Sequence, residues 1–247
     1  MRPRTQDALE RTRATGTQLI VVTGRMFRAV RPYLEQAGLD DLVVCYQGAV
    51  VADPKTGDWL LHVPVPLAEG REAMDAVVAA GFHLNCYLDD ELYVAEVTPE
   101  ARRYADFQHL EIHAVGDLRA WLDRDPTKLV AVGDPAALDE LEAELKPRFE
   151  GRLFISKSLP YFLEFAHPDV NKGDGLAFIA QRLGFTQAET VACGDGENDR
   201  ELLDWAGYGV AVANAHADIL GRADLVVGDV EHEGIADLFD AFVDSLS

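Results

Sequence analysis

In the run Val191-Ala-Cys-Gly-Asp-Gly-Glu-Asn-Asp-Arg-Glu-Leu-Leu203, the carboxylates of Asp195 and Asp199 stand four residues apart behind a turn bounded by glycines. With a short buried strand ending at Cys193 and a helix opening past Gly196, this spacing stacks both groups on one face, beside the positive end of the helix dipole. At an effective dielectric of about 20, two carboxylates ~5 Å apart repel by roughly 3 kcal/mol, so the pair calls for a cation or a shared proton. A hard, oxygen-seeking ion such as Mg2+ suits it best. The plainer alternative makes Asp195 a turn residue and Asp199 a helix cap.

Two other places could hold an anion. Thr23 ends the β-branched run Gln18-Leu-Ile-Val-Val22, and Gly24 after it leaves its backbone N–H unshielded, so hydroxyl and N–H together could hold two phosphate oxygens. Lys172, in Asn171-Lys-Gly-Asp-Gly-Leu176, opens a helix running to Leu183 and is a mobile point charge able to reach one anion. Taken singly, each is also an ordinary strand terminus or surface lysine.

The elements that must carry these residues follow a rhythm. A helix with Pro3 at its start, a strand over 18–22, a helix from about Met26 to Gln36 ended by Gly38, and a strand over 42–46 alternate as in a doubly wound α/β sheet, whose ligands bind at strand carboxyl ends. Strands over 207–212 and 224–227 and a closing helix over 234–246 continue it. Between them the beat is lost. A hairpin turning at Pro54-Lys-Thr-Gly57 leads into a helix over 68–80. Strands over 83–87 and 91–94 then flank an Asp89-Asp90 turn, a strand covers 128–132, a helix 136–146, and two strands 152–156 and 161–165. The expected fold class is therefore α/β, a doubly wound Rossmann-like parallel sheet formed by 1–63 and 167–247, with an α+β domain inserted at 64–166.

Composition narrows the partners. A net charge of -21 argues against nucleic acid and against an anionic membrane surface. Cys45, Cys86 and Cys193 have no metal-ligand spacing and suit a reducing compartment. No apolar run nears the ~20 residues of a membrane span, and the first residues lack the apolar core of a signal peptide, so the expectation is a cytoplasmic protein. Oligomeric state is not legible.

Gly194-Asp-Gly-Glu-Asn-Asp199 resembles the fourth motif of the haloacid dehalogenase (HAD) superfamily of phosphatases, in its Cof-type branch with a large cap domain. Thr23-Gly24-Arg25 and Lys172 resemble its second and third motifs, in the right order. The resemblance covers nearly the whole chain. It implies a Mg2+-dependent phosphohydrolase in which Thr23, Gly24 and Lys172 bind phosphate and Asp195 and Asp199 hold the metal, Asp199 by orienting a metal-bound water. Arg25 and Asn198 are placed to contact substrate. The insert would be the cap, and at ~100 residues it can enclose a small phosphorylated metabolite, such as a sugar phosphate, better than a phosphoprotein. Gln47-Gly48-Ala49 stands where these proteins carry Asn-Gly-Ala, and the departure leaves Gln47 without a role.

The resemblance also implies an Asp-x-Asp on a strand ahead of Thr23, whose first Asp attacks phosphorus. None is found there; Asp7 lies on the first helix. Asp123-Arg-Asp-Pro-Thr127 has the right letters but follows a helical pattern inside the insert, and is read as a loop. The expectation is thus a shortened chain with little or no phosphatase activity, the strands at 19–22 and 191–193 lacking the neighbour between them. The competing function is a non-catalytic phosphate- or metal-binding protein on the same fold.

Overall fold

The computed structural model describes residues 2–246, with the side chains of Phe107 and Ser158 excepted. The chain forms two compact units, one of Met1–Thr23, Arg31–Leu60 and Asn171–Ser247, the other of Gly24–Val30 and Leu61–Val170.

The first unit begins with α1 (Pro3–Ala14), where Pro3 occupies a position whose N–H needs no partner. Ala8, Leu9 and Thr12 form its buried stripe. α2 (Phe27–Ala37) enters this unit at Arg31, and β1 (Val43–Cys45), β2 (Val50–Ala52) and β3 (Trp59–His62), which runs out of it after Leu60, form a three-stranded sheet in that order with β1 and β2 antiparallel. The segment 18–22 corrects the sequence expectation. It runs extended but is no regular strand, touching β1 through the single parallel bridge Val22↔Val44. Ile20 and Val22 instead pack on the cluster of Leu176, Ala192 and Leu202. A strand needs a continuous ladder, and apolar residues alone do not supply the partner backbone.

The second unit contains α3 (Leu67–Ala79), β4 (His83–Leu88), β5 (Glu91–Val94), α4 (Pro99–Gln108), β6 (Ile112–Ala114), α5 (Leu118–Trp121), β7 (Lys128–Val132), α6 (Pro135–Arg148), β8 (Phe154–Leu159) and β9 (Phe162–Ala166). Its strands form one sheet in the order β6-β5-β4-β7-β9-β8. Leu84, Cys86, Leu129, Ala131, Leu163 and Phe165 alternate onto the face covered by Met74 and Val77 of α3 and Leu138, Leu141 and Leu145 of α6. The other face bears Asn85, Tyr87, Lys128 and Glu164, all buried.

The chain then returns to the first unit through α7 (Lys172–Leu183), β10 (Val191–Gly194), α8 (Arg200–Trp205), β11 (Tyr208–Val212), α9 (Ala217–Arg222), β12 (Leu225–Val227) and α10 (Gly234–Ser245). β10, β11 and β12 form a parallel sheet in that order, with helical crossovers between them, which makes this unit α/β. Among the described residues β11 is the one ladder partner of β10. α10 docks on α1, where Arg4 and Arg11 pair with Asp240. No helix is long and apolar enough to cross a membrane among the described residues.

Candidate functional site

β10 delivers the chain into a tight reversal. Gly194 is required there because a Cβ at that position would lie 2.5 Å from the Asp199 Cβ. A short 3-10 turn over Glu197–Asp199 follows, and α8 opens only at Arg200. Asp199 therefore precedes the helix instead of sitting in its first turn. Its side chain folds back so that Oδ2 accepts the backbone N–H groups of Asp195 and Gly196, each at 2.9 Å.

The other oxygen of Asp199 meets Lys172. Asn171 caps α7 by accepting from the Asp174 N–H, so the lysine leaves the very start of that helix. Its Nζ lies 2.5 Å from Asp199 Oδ1, and both side chains are more than nine-tenths buried. Buried carboxylates are tolerated when their oxygens are paired and hydrogen-bonded, as here. Gly173 makes the approach possible, since a Cβ would meet the Glu201 carbonyl at 2.4 Å.

This differs from the side-by-side carboxylate pair that the i, i+4 spacing suggests. Asp199 is turned inward and saturated, while Asp195 is exposed and its carboxylate has no hydrogen-bond partner among the described residues. The charge repulsion is relieved by a lysine and two N–H groups, leaving one open carboxylate. No three of the described His, Cys, Asp and Glu side chains gather as a metal cage. One open carboxylate beside water and substrate oxygens is nonetheless a pattern that Mg2+ accepts.

Thr23 is held through its backbone. Its N–H donates to the Val44 carbonyl at 2.9 Å, and its own carbonyl accepts from the Gln47 N–H at 3.1 Å. Asn198 points its Nδ2 at Gln47 Oε1, 3.0 Å away. Thr23, Lys172, Asp195, Asn198 and Asp199 thus share one unit with Gln47, which sequence reasoning left without a role although Gln47-Gly48-Ala49 stands at the place of the family's Asn-Gly-Ala. Gly24 and Arg25 belong to the other unit, where the Gly24 carbonyl accepts from Lys128 Nζ at 3.3 Å and Arg25 donates to Gln108 Oε1 at 3.1 Å.

Other candidates have structural employment. Burial pushes the Cys193 thiol up to about 11, so it stays protonated and is no nucleophile. His216 caps α9 and its Nε2 lies 3.1 Å from Glu197 Oε1. Asp123 follows α5 on an exposed loop, Asp125 accepts the Leu67 N–H at 2.8 Å, and Thr127 bonds His62 at 3.0 Å, so that Asp-x-Asp-x-Thr sequence braces the second unit.

A parallel α/β unit with a glycine-bounded acidic turn at one strand end, a buried lysine locked to that turn, and a second compact unit inserted in the chain define a protein with a Rossmann-like core and a cap. The profile of haloacid dehalogenase-like hydrolases matches residues 1–239, and the chain belongs to that family. It is 27% identical over 237 residues to the HMP-PP phosphatase of Cronobacter sakazakii, covering 94% of this chain and 85% of that one. In structure it is similar to a haloacid dehalogenase-like hydrolase from Bacteroides thetaiotaomicron, with a TM-score of 0.88 and 22% identity over 98% of this chain and 92% of the other. It is also similar to a HAD subclass IIB sugar phosphatase, with a TM-score of 0.83 and 20% identity over 98% and 92%.

Proposed function

We propose that this protein carries the phosphate- and Mg2+-binding groups of a Cof-type phosphohydrolase whose ligand is a small phosphorylated metabolite; with no Asp-x-Asp ahead of Thr23 to attack phosphorus, binding is expected with little or no turnover. The observation that carries the reading is the Lys172–Asp199 latch, whose carboxylate holds the same turn that exposes the open carboxylate of Asp195. Asp195 would hold the metal. When bound, Mg2+ supplies positive charge to the phosphoryl oxygens as the transferring group loosens.

The remaining work belongs to the chain. Asp199 orients Lys172 and braces the turn N–H groups, so that the lysine is held in one direction while two of its N–H donors remain for phosphate. The Thr23 hydroxyl adds a neutral donor at the end of the 18–22 segment. The relative named an HMP-PP phosphatase and the sugar phosphatase of the same fold both support a small phosphorylated ligand.

Calorimetry with Mg2+ and orthophosphate, followed by hydrolysis of an aryl phosphate, tests this. Phosphate binding that requires Mg2+ supports the site; binding with no turnover confines this chain to a binding role, and full turnover would overturn the expected inactivity. Asp195→Asn should abolish most Mg2+ affinity by removing a formal charge, with stability changed by no more than about 0.5 kcal/mol because the side chain is exposed. Equal Mg2+ affinity in parent and variant would remove Asp195 from the metal site.

A further inference from the structure

Between β1 and β2 the backbone does something costly. Tyr46, Gln47 and Gly48 all have positive φ, at 52°, 62° and 109°. Glycine enters this left-handed region freely and asparagine with modest cost, but tyrosine and glutamine seldom do. Two such residues in succession persist only where the surroundings hold them there, and such strain gathers at working sites. Gln47 is also buried, at 7% exposure, an uncommon place for a glutamine.

The contacts of this turn explain what holds it. The Gln47 N–H reaches the carbonyl of Thr23 at 3.1 Å. Its side-chain Oε1 accepts from Asn198 Nδ2 at 3.0 Å, inside the acidic turn that carries Asp195 and Asp199. Gly48 lies so close to the start of α7 that a Cβ would fall 2.0 Å from the Asn171 carbonyl oxygen, one residue before Lys172. Thr23, Asn198 and the Lys172 helix start come from segments far apart in the chain, and this one turn touches all three. An ordinary hairpin turn would need neither the strain nor the buried amide.

We propose that Gln47 is a positioning residue: through its N–H and its side-chain amide it sets the spacing between Thr23 and the turn bearing Asp195, while Gly48 keeps the Lys172 helix in register with both. This rests on the phosphate-binding reading given above. Gln47 itself touches no reacting atom, so its influence appears in ligand affinity and in the local order of the 194–199 turn.

Gln47→Gly separates the two. Glycine relaxes the left-handed backbone and keeps the N–H to Thr23, yet deletes the amide to Asn198. The expected result is a melting temperature within a few degrees of the parent, the relaxed backbone offsetting the lost amide, with Mg2+-dependent orthophosphate affinity lowered by roughly tenfold. Asn198→Ala should show a similar loss, and the double variant no further loss, because both ends serve one contact. Amide hydrogen exchange over 194–199 supplies a readout without ligand, and should quicken in Gln47→Gly. Unchanged phosphate affinity in Gln47→Gly, or losses that add in the double variant, would overturn the proposal. Should the parent itself bind no orthophosphate, the function proposed above fails and the exchange measurement decides alone, unchanged protection of 194–199 overturning the role of Gln47.

Discussion

Among the described residues, each unit buries one lysine against one carboxylate, and the two pairs are built on opposite principles. In the inserted unit, Lys128 and Glu164 sit on neighbouring strands of a continuous sheet, 3.2 Å apart, with Val130 opposite Glu164 in the ladder. Lys128 also lies 5.2 Å from the centre of the Tyr87 ring and donates to the Gly24 carbonyl. The strands there are held by their own ladder whatever the side chains do. In the other unit, Lys172 and Asp199 join a helix start to a 3-10 turn, and Asp199 is also the acceptor for two N–H groups of that turn. There the backbone conformation depends on the side chain. The first pair decorates a fold that would form without it; the second shapes the loop it belongs to.

Replacing both partners of each pair with apolar residues sharpens this difference most. A buried ion pair can often be exchanged for hydrophobic residues of similar volume at little or no cost. Lys172→Met/Asp199→Leu should nevertheless remain destabilised by about 3 kcal/mol, because the Asp195 and Gly196 N–H groups lose their acceptor and each unsatisfied donor costs about 1–3 kcal/mol. Urea unfolding with an unchanged slope would measure it. Parent-like stability would show that the turn holds itself without Asp199.

The matching change in the insert, Lys128→Met/Glu164→Leu, is expected to cost no more than about 1 kcal/mol, whereas Lys128→Met alone should cost about 3 kcal/mol by leaving Glu164 buried and unpaired. The recovery from single to double variant is the measurement. If the double variant is as unstable as the single one, the contacts of Lys128 with Tyr87 and Gly24 matter more than its charge, and the contrast between the two pairs collapses.

The two pairs were also unequally visible in the sequence. Lys172 was legible because Asn171 announces a helix start and Gly194-to-Asp199 lies one helix further on. Strands β4, β5 and β7 were legible from alternation, and the Asp89-Asp90 turn from its two acids, which do adopt positive φ, 53° and 59°. But alternation in 128–132 shows two faces without saying that both are covered, and nothing in the letters told that Lys128 and Glu164 are buried. Helix α4 was missed although Thr98 caps it and Pro99 starts it, because in its run PEARRYADFQ the buried residues among those described, Ala101, Tyr104 and Ala105, sit between exposed charges. The inward turn of Asp199 and the strained Gln47 were illegible for one reason: both are decided by backbone reversals whose partners lie far away in sequence.

The smallest effect separates the units by pH. Burial holds His62 and His83 below the ordinary histidine value of 6.5, outweighing Asp89 and Asp125 around His62, and Asn85, Glu100 and Glu96 around His83, which favour the proton. His62 bonds Thr127, and His83 Nε2 lies 2.9 Å from Asn85 Oδ1, so both rings are held within the second unit. With a lowered pKa in the folded state, the unfolded chain binds more protons as pH falls below the ordinary value, so folding stability rises with pH across that window. Their contribution is complete above about pH 6.5 and is lost as pH falls toward the depressed folded values. His62→Gln/His83→Gln should therefore flatten the decline in unfolding midpoint between about pH 7 and pH 5, as followed by a probe within the insert, while leaving midpoints above pH 7 little changed. An identical decline in parent and variant would place the acid sensitivity elsewhere, in the many exposed carboxylate pairs that both units carry, and would remove the insert as the more acid-sensitive of the two.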